Sequence, residues 1–376
     1  MDTAERRAWA YLSRVCEPPQ PLLAELVRAA GPVEAAGHIR ARDVSDELLR
    51  ATEARHEISS EDTDLEVLDR LGGRLITAQD DEWPHLAFAS FALPALADRQ
   101  WGHPPLVLWA VGPSHLADVA ARSAALVGTR AASAYGEHVT AEFTSGLVEK
   151  DVAVISGGAY GIDGVAHRTA LACEGETVAV LAAGIDVPYP SGHSALLHRI
   201  GRSGLVLTEY PPGLRPTRRQ FLARNRLVAA LSGATVVVEA GVRSGAANTA
   251  AWARALGRQV CAVPGPVTSA TSAGCHNLIA GGAATLVTRA AEVVEAVGRM
   301  GELAPDPERP TTDLDGLDDT ELTVYEALPR RGARTVGEIA ILAGLPMAEV
   351  LGALAMLDVR GLIRQEEGNW KLTTRG

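Results

Sequence analysis

The chain has 376 residues, 47% of them hydrophobic, and a formal net charge of −11. That length exceeds a single small core and suggests two or three domains. The acidity excludes a generic polyanion binder, so any nucleic-acid site has to be a local basic patch inside an acidic envelope.

Residues 1–75 read as an N-terminal helical domain (SAM/helix-hairpin-helix-like). Glu5 to Val15, Pro21 to Ala30 and Asp46 to Ala54 have helical spacing and are broken by proline and glycine. Ala30-Gly31-Pro32 followed by Val33 to Ile39 resembles a helix-hairpin-helix turn. Such turns can grip phosphate, but this one sits among Glu and Asp, so a packing or partner role is preferred. Residues 76–122 are a lead-in that docks onto the main sheet. Strands are expected at Arg74 to Thr77 and Leu106 to Trp109, around a loop containing Trp83 and Trp101.

From Ser123 to residue 298 the pattern is regular. Strands are expected at Ala124–Val127, Val152–Ile155, Thr177–Leu181, Leu205–Leu207, Thr235–Val238, Gln259–Val263 and Ala284–Val287, with helical patterns between most of them. Strand and helix in alternation predict a doubly wound α/β fold, a parallel sheet covered on both faces. Ligands on such sheets bind beyond the C-terminal strand ends. The unusual loops fall there: 128–130, 156–163, 184–190, 209–221, 239–245 and 264–274. Residues 299–316, rich in proline and acids, read as a linker. Residues 317–376 read as a winged helix, with helix-turn-helix segments flanking Gly344-Leu345-Pro346 and a two-stranded wing. Its recognition-helix segment, Met347 to Arg360, has few cations and carries Glu349 and Asp358, which favours protein contact or regulation over duplex readout.

Cys16, Cys173, Cys261 and Cys275 form no C-x-x-C pair, and no histidine is placed to complete a zinc set, so they read as small hydrophobes. No apolar run approaches the ~20 residues needed to span a bilayer, and the first ten residues lack a signal-peptide core. A reduced, cytoplasmic protein without membrane contact is the expectation.

Two stretches carry the functional reading. Ser156-Gly157-Gly158-Ala159-Tyr160-Gly161-Ile162-Asp163 joins an apolar strand to a helix, a corner whose glycines and free helix N–H groups suit a phosphate. Arg215 to Arg226 holds five arginines, Phe221 and no acid. Forked guanidinium donors suit phosphate oxygens, and a phenyl face stacks on a base. Arg218, Arg224 and Arg226 are the candidate contacts; the alternative is structural pairing of the arginines with Glu209 and Glu239. The helix is expected over Leu222–Leu231. Arg130, in Gly128-Thr129-Arg130, projects over the same edge. Asp163 and His167, four apart on one turn, are either an acid–base pair or a brace for the glycine loop, with bracing preferred. His193 and His198 read as surface residues. Glu239 with Ser244-Gly245 forms another strand-to-helix turn, with its helix starting near Asn248. No complete catalytic set, metal cluster or P-loop is present, and no cofactor is implied.

The ordered motifs Pro105–Gly112, Val127–Arg130, Ser156–His167, Gly184–Pro190, Thr208–Gly213, Phe221–Ser232, Val238–Gly245, Val263–Gly265 and Asn277–Ala283 resemble the DNA-processing protein A (DprA/Smf) family over essentially the whole chain. The resemblance implies an extended Rossmann-like domain that binds single-stranded DNA, does no chemistry on it, forms a homodimer, and helps load RecA during natural transformation. By motif position it carries DNA contact to Gly128, Thr129, Arg130, Ser156, Gly157, Gly158, Arg218, Phe221, Arg224, Asn225 and Arg226. The chain departs from the family pattern at Leu222, at 244–250 and at 271–276. The competing reading is a Rossmann-like hydrolase of nucleoside monophosphates using Asp163, His167 and Glu239.

Overall fold

The structure, a computed structural model, describes residues 1–298 and 314–373. It falls into two compact units, Met1–Pro305 and Asp306–Gly376. Most of the expected linker at 299–316 lies outside the described residues.

The first unit begins with α1 (Thr3–Val15), α2 (Pro21–Ala41), α3 (Asp46–Thr52) and α4 (Glu61–Arg70). Gly31 breaks α2 into two segments through a φ of 81°, so the expected turn is there. Pro32, Ala35, Ala36 and Ile39 beyond it are buried, which makes the turn a packing corner. The unexpected α4 is strongly acidic, and it buries only Leu65 and Leu68 among its apolar residues. β1 (Gly73–Thr77) and β2 (Val107–Val111) pair antiparallel, and β2 pairs antiparallel with a later strand, Leu205–Thr208, so the lead-in extends the sheet by two strands. The boundary expected at 75/76 falls inside β1. Between β1 and β2 lies α5 (His85–Phe88), and after β2 comes α6 (Leu116–Ala121).

The parallel core follows: β3 (Ser123–Val127), α7 (Ala134–Val148), β4 (Ala153–Ser156), α8 (Ile162–Ala172), β5 (Thr177–Val180), α9 (Ser194–Ser203), β6 (Leu205–Thr208), α10 (Arg218–Ala230), β7 (Ala234–Val237), α11 (Gly245–Ala255), β8 (Gln259–Ala262), α12 (Ala273–Ala280), β9 (Thr285–Leu286) and α13 (Ala290–Val297). The sheet order is β1-β2-β6-β5-β4-β3-β7-β8-β9. Successive strands therefore run one way from β3 and then, from β7, the other way. The crevice beyond β3 and β7 is the topological switch point, where open α/β sheets bind ligands.

Strand alternation builds the two faces. Ala124 and Leu126 of β3 pack with Val139, Phe143 and Leu147 of α7 and with Ala166 of α8. Ala125 and Val127 face the other side, with Leu227 and Val228 of α10 and Ala250 of α11. A third cluster joins Trp9, Leu12, Leu23 and Leu68 of the first helices to Trp109 of β2 and to Leu197 and Ile200 of α9.

The second unit is a small winged helix. It holds α14 (Asp319–Ala327), α15 (Val336–Ala343), α16 (Met347–Val359), and the hairpin β10 (Ile363–Glu366) with β11 (Asn369–Leu372), around Val324, Ile339, Val350, Leu354 and Leu357. Among the described residues no single helix is long and apolar enough to cross a membrane.

Candidate nucleic-acid interface

Thr217 starts α10 with a capping box: its hydroxyl accepts from the Gln220 N–H, and the Gln220 side chain accepts from the Thr217 N–H. The helix therefore begins four residues before the expected Leu222, which places Arg218 on its first turn. The loop leading into it is held from both sides. Gly213 N–H donates to Asp186, Gly184 N–H to the Leu214 carbonyl, and Arg14 of α1 to the Pro212 carbonyl at 2.7 Å.

α10 runs beside a cleft of about 550 Å³ at the switch point. Val127 to Arg130 line it after β3, Gly157, Ala159 and Asp163 after β4, and Gly245, Ala246 and Thr249 on α11. Arg218, Phe221, Leu222, Arg224, Asn225 and Val228 present one face of α10 to it. Arg130 and Arg218 are exposed, and no ion pair engages either among the described residues. The Arg130 guanidinium lies 5.0 Å from the Phe221 ring centroid, and the Tyr189 ring lies 5.3 Å from Phe221, tilted by 54°. Two aromatic faces and two free cations thus share one rim.

The floor is differently built. Arg224 is buried and donates to the carbonyls of Gly157, at 2.6 Å, and Val180. Burial lowers its pKa to about 10, with Asp163 opposing the shift, so it stays cationic at neutral pH. The Asp163 carboxylate accepts from the N–H groups of Gly157 and Ala159 at 3.1 and 3.3 Å. Burial raises its pKa, while Arg224 and the two amides pull it back. Two glycines make this packing possible. A Cβ on Gly157 would strike the Arg224 guanidinium, and Gly161, at φ 73°, leaves no room for one against the Thr129 carbonyl.

Several expectations are corrected here. Arg226 is not a rim residue: its side chain is fully buried and forms a bidentate pair with Glu209 at 2.7 Å. Its segment has no acid, but the end of β6 supplies one. Ser156 is buried, with its hydroxyl donating to the Leu126 carbonyl. Gly158 is a buried turn residue at φ 68° whose carbonyl lies 3.0 Å from His193 Nδ1, so His193 is not a surface residue either. Asn225 borders the cleft, with its amide engaged by the Gly245 carbonyl and Asn248. The amides of Gly157 and Ala159, expected to be open to phosphate, are occupied by Asp163.

The hydrolase residues do not converge. Glu239 accepts from Ser133 N–H, Ser133 Oγ and Thr271 Oγ1, clamping three loops. His167 is fully buried with Nδ1 2.8 Å from Thr177 Oγ1, and burial lowers its pKa to about 3. No hydrogen bond or ion pair joins any two of Asp163, His167 and Glu239. Ser244 caps α11 through the Ala247 N–H, so that helix starts at Gly245 rather than near Asn248. Tyr189 is the site residue that the sequence reading missed. Its signal was an aromatic residue between Pro188 and Pro190 in a loop already placed at the ligand edge.

The family model "DNA recombination-mediator protein A" matches residues 74–298, and "DprA winged helix domain" matches 305–369. The chain is 63% identical over 370 residues to a putative DNA processing protein DprA of Mycobacterium tuberculosis, covering 98% of this chain and 95% of that one. It is similar to the X-ray structure of DNA processing protein A from Streptococcus pneumoniae, with TM-score 0.62 and 30% identity over 78% of this chain and 98% of the other. It is also similar to DNA processing protein A from Helicobacter pylori, a structure concerned with that protein's single-stranded DNA binding mode. There the TM-score is 0.51 and the identity 27%, over 60% of this chain and 95% of the other.

Proposed function

The chain belongs to the DNA recombination-mediator protein A family, and from that premise we propose that its switch-point cleft binds single-stranded DNA and that the protein helps load RecA onto incoming strands in natural transformation. The observation that carries the reading is the pairing of exposed, acid-free Arg130 and Arg218 with the Phe221–Tyr189 aromatic rim. Guanidinium groups neutralise successive phosphates, and the rings stack on unpaired bases. A duplex offers phosphates to the two arginines but keeps its bases stacked inside, away from the two rings. Gly128, Thr129 and Gly157 line the cleft beneath the strand's path, while Arg224 holds the glycine loop and adds positive potential from below.

We read the protein as a cytoplasmic binder rather than an enzyme. Its further partners in this reading are RecA and a second copy of the chain, the latter meeting through the sheet-bearing unit. Fluorescence anisotropy with labelled single- and double-stranded oligonucleotides tests the binding reading. Tighter binding of the single strand than of the duplex is expected, with affinity reduced in Arg130→Ala/Arg218→Ala; equal affinity for the duplex overturns the reading. RecA nucleation on single strands coated with single-strand-binding protein tests the loading step: acceleration by this protein is expected, and an unchanged rate refutes it.

A further inference from the structure

The winged helix carries an apolar surface where a DNA-reading module carries cations. Val336 to Val359, which spans α15 and α16, contains no Lys, Arg or His and three acids, Glu338, Glu349 and Asp358. Its inner residues Val350, Leu354 and Leu357 are buried. Its outer face leaves Leu351, Met356 and Val359 of α16 exposed, and Ile341 and Leu342 of α15 are exposed as well, with Val359 and Ile341 each 82% exposed. At 3.6 residues per turn, Leu351, Ala355, Val359 and Met356 form one stripe along α16. Asp358 lies along one margin of that stripe and Glu349 along the other.

Gly352 lies in the middle of the stripe and is unexplained by the fold. It is interior to a 13-residue helix, its φ is not positive, and a Cβ there would meet nothing within 4 Å. Glycine weakens a helix interior relative to alanine, so the fold alone gains nothing from it. Close approach of another backbone does gain from it. Exposed apolar stripes of this kind mark protein contacts, and methionines at 347 and 356 suit an adaptable surface.

The charges decide the occupant. Arg360, just past Val359, is held by Glu321 and the Gly316 carbonyl, so the charges along the stripe's margins are the carboxylates of Glu349 and Asp358, which repel DNA phosphates. A second copy packed antiparallel on the same stripe lines one margin with two Glu349 carboxylates and the other with two Asp358 carboxylates, and no cation of the stripe pairs them. We propose that the outer stripe of α16 docks an amphipathic helix of another protein, with an apolar stripe flanked by Lys or Arg, packed closely over Gly352.

The test uses the full chain and two fluorescent synthetic helical peptides. Both carry the same Leu/Ala stripe, one flanked by Lys and the other by Glu. The Lys peptide is expected to bind, and the Glu peptide at least tenfold more weakly. Glu349→Lys/Asp358→Lys should reverse that preference with an unchanged circular dichroism spectrum. Gly352→Leu should weaken binding of the Lys peptide at an undiminished thermal midpoint. Failure of the Lys peptide to bind, equal affinity of the two peptides, or indifference to the charge reversal overturns the proposal. So does sedimentation showing self-association that Val359→Glu abolishes, which assigns the face to a second copy.

Discussion

Replacing Arg226 by Met tests whether this arginine is structural or touches DNA. The Arg226 side chain is fully buried and that of Glu209 is 2% exposed, and two hydrogen bonds of 2.7 Å join them. Removing the guanidinium leaves a carboxylate in the interior with no cation. Breaking one partner of such a pair costs about 3–5 kcal/mol. At roughly 2 °C per kcal/mol for a unit of this size, the thermal midpoint falls by about 6–10 °C. The double variant Arg226→Met/Glu209→Leu replaces the pair with apolar groups of similar volume and should recover most of the loss. Scanning calorimetry reads the stability, and anisotropy with a labelled single strand reads the affinity. The double variant should bind DNA within about threefold of wild type, since no atom of the cleft rim has changed. If Arg226→Met keeps its midpoint and loses DNA affinity, Arg226 reaches the DNA and the buried-pair reading is wrong.

Phe221→Ala and Tyr189→Ala should each weaken single-strand binding by about 1–3 kcal/mol, the value of one base stack, while Phe221→Trp retains it; unchanged affinity in Tyr189→Ala removes the second ring from the site. Gly157→Ala pushes against the Arg224 guanidinium and should lower affinity about tenfold, through loss of a charged hydrogen bond worth about 1.5–3 kcal/mol; a crystal structure with Arg224 undisplaced contradicts it. His167 is held neutral, its pKa lowered to about 3 by burial. Between that value and the ordinary ~6.5 the unfolded chain binds the extra proton, so this contribution to stability is lost as pH falls. It amounts to about 2 kcal/mol at pH 5. His167→Asn should flatten that slope in urea titrations at pH 7.5 and 5, and an unaltered slope refutes the assignment.

The strand-and-helix alternation was legible because β3, β4 and β7 are short apolar runs, each closed by a loop of glycine or polar residues. The antiparallel join of β2 to β6 was not legible, since periodicity says nothing about direction. Arg226 shows where site reading failed. Arg224, Asn225 and Arg226 are adjacent in sequence but turn by about 100° per residue on a helix. Once α10 starts at Arg218, residues 218, 221, 224, 225 and 228 share a face and 226 leaves it. The signal that fixes the start, Thr217 three before Gln220, was present in the sequence. Pairing with Glu209 stood in the sequence reading as the alternative for these arginines, and the tertiary structure makes it for Arg226 while Arg224 bonds carbonyls instead. The glycine loop lies beyond the C-terminal end of β4, beside the cleft, as its pattern suggested, but a carboxylate in the first turn of α8 fills two of its amides, so less of the loop is open than its glycines suggested.

The most direct measurement is the salt dependence of single-strand affinity, from about 50 to 300 mM NaCl, for wild type, Arg130→Ala, Arg218→Ala and the double variant. Each phosphate contact contributes about 0.7 to the slope of log K against log salt for a single strand. Each single variant should therefore flatten the slope by about 0.7 and the double variant by about 1.4. Slopes identical to wild type in all three variants would contradict the account, because the two arginines at the rim would then hold no phosphate.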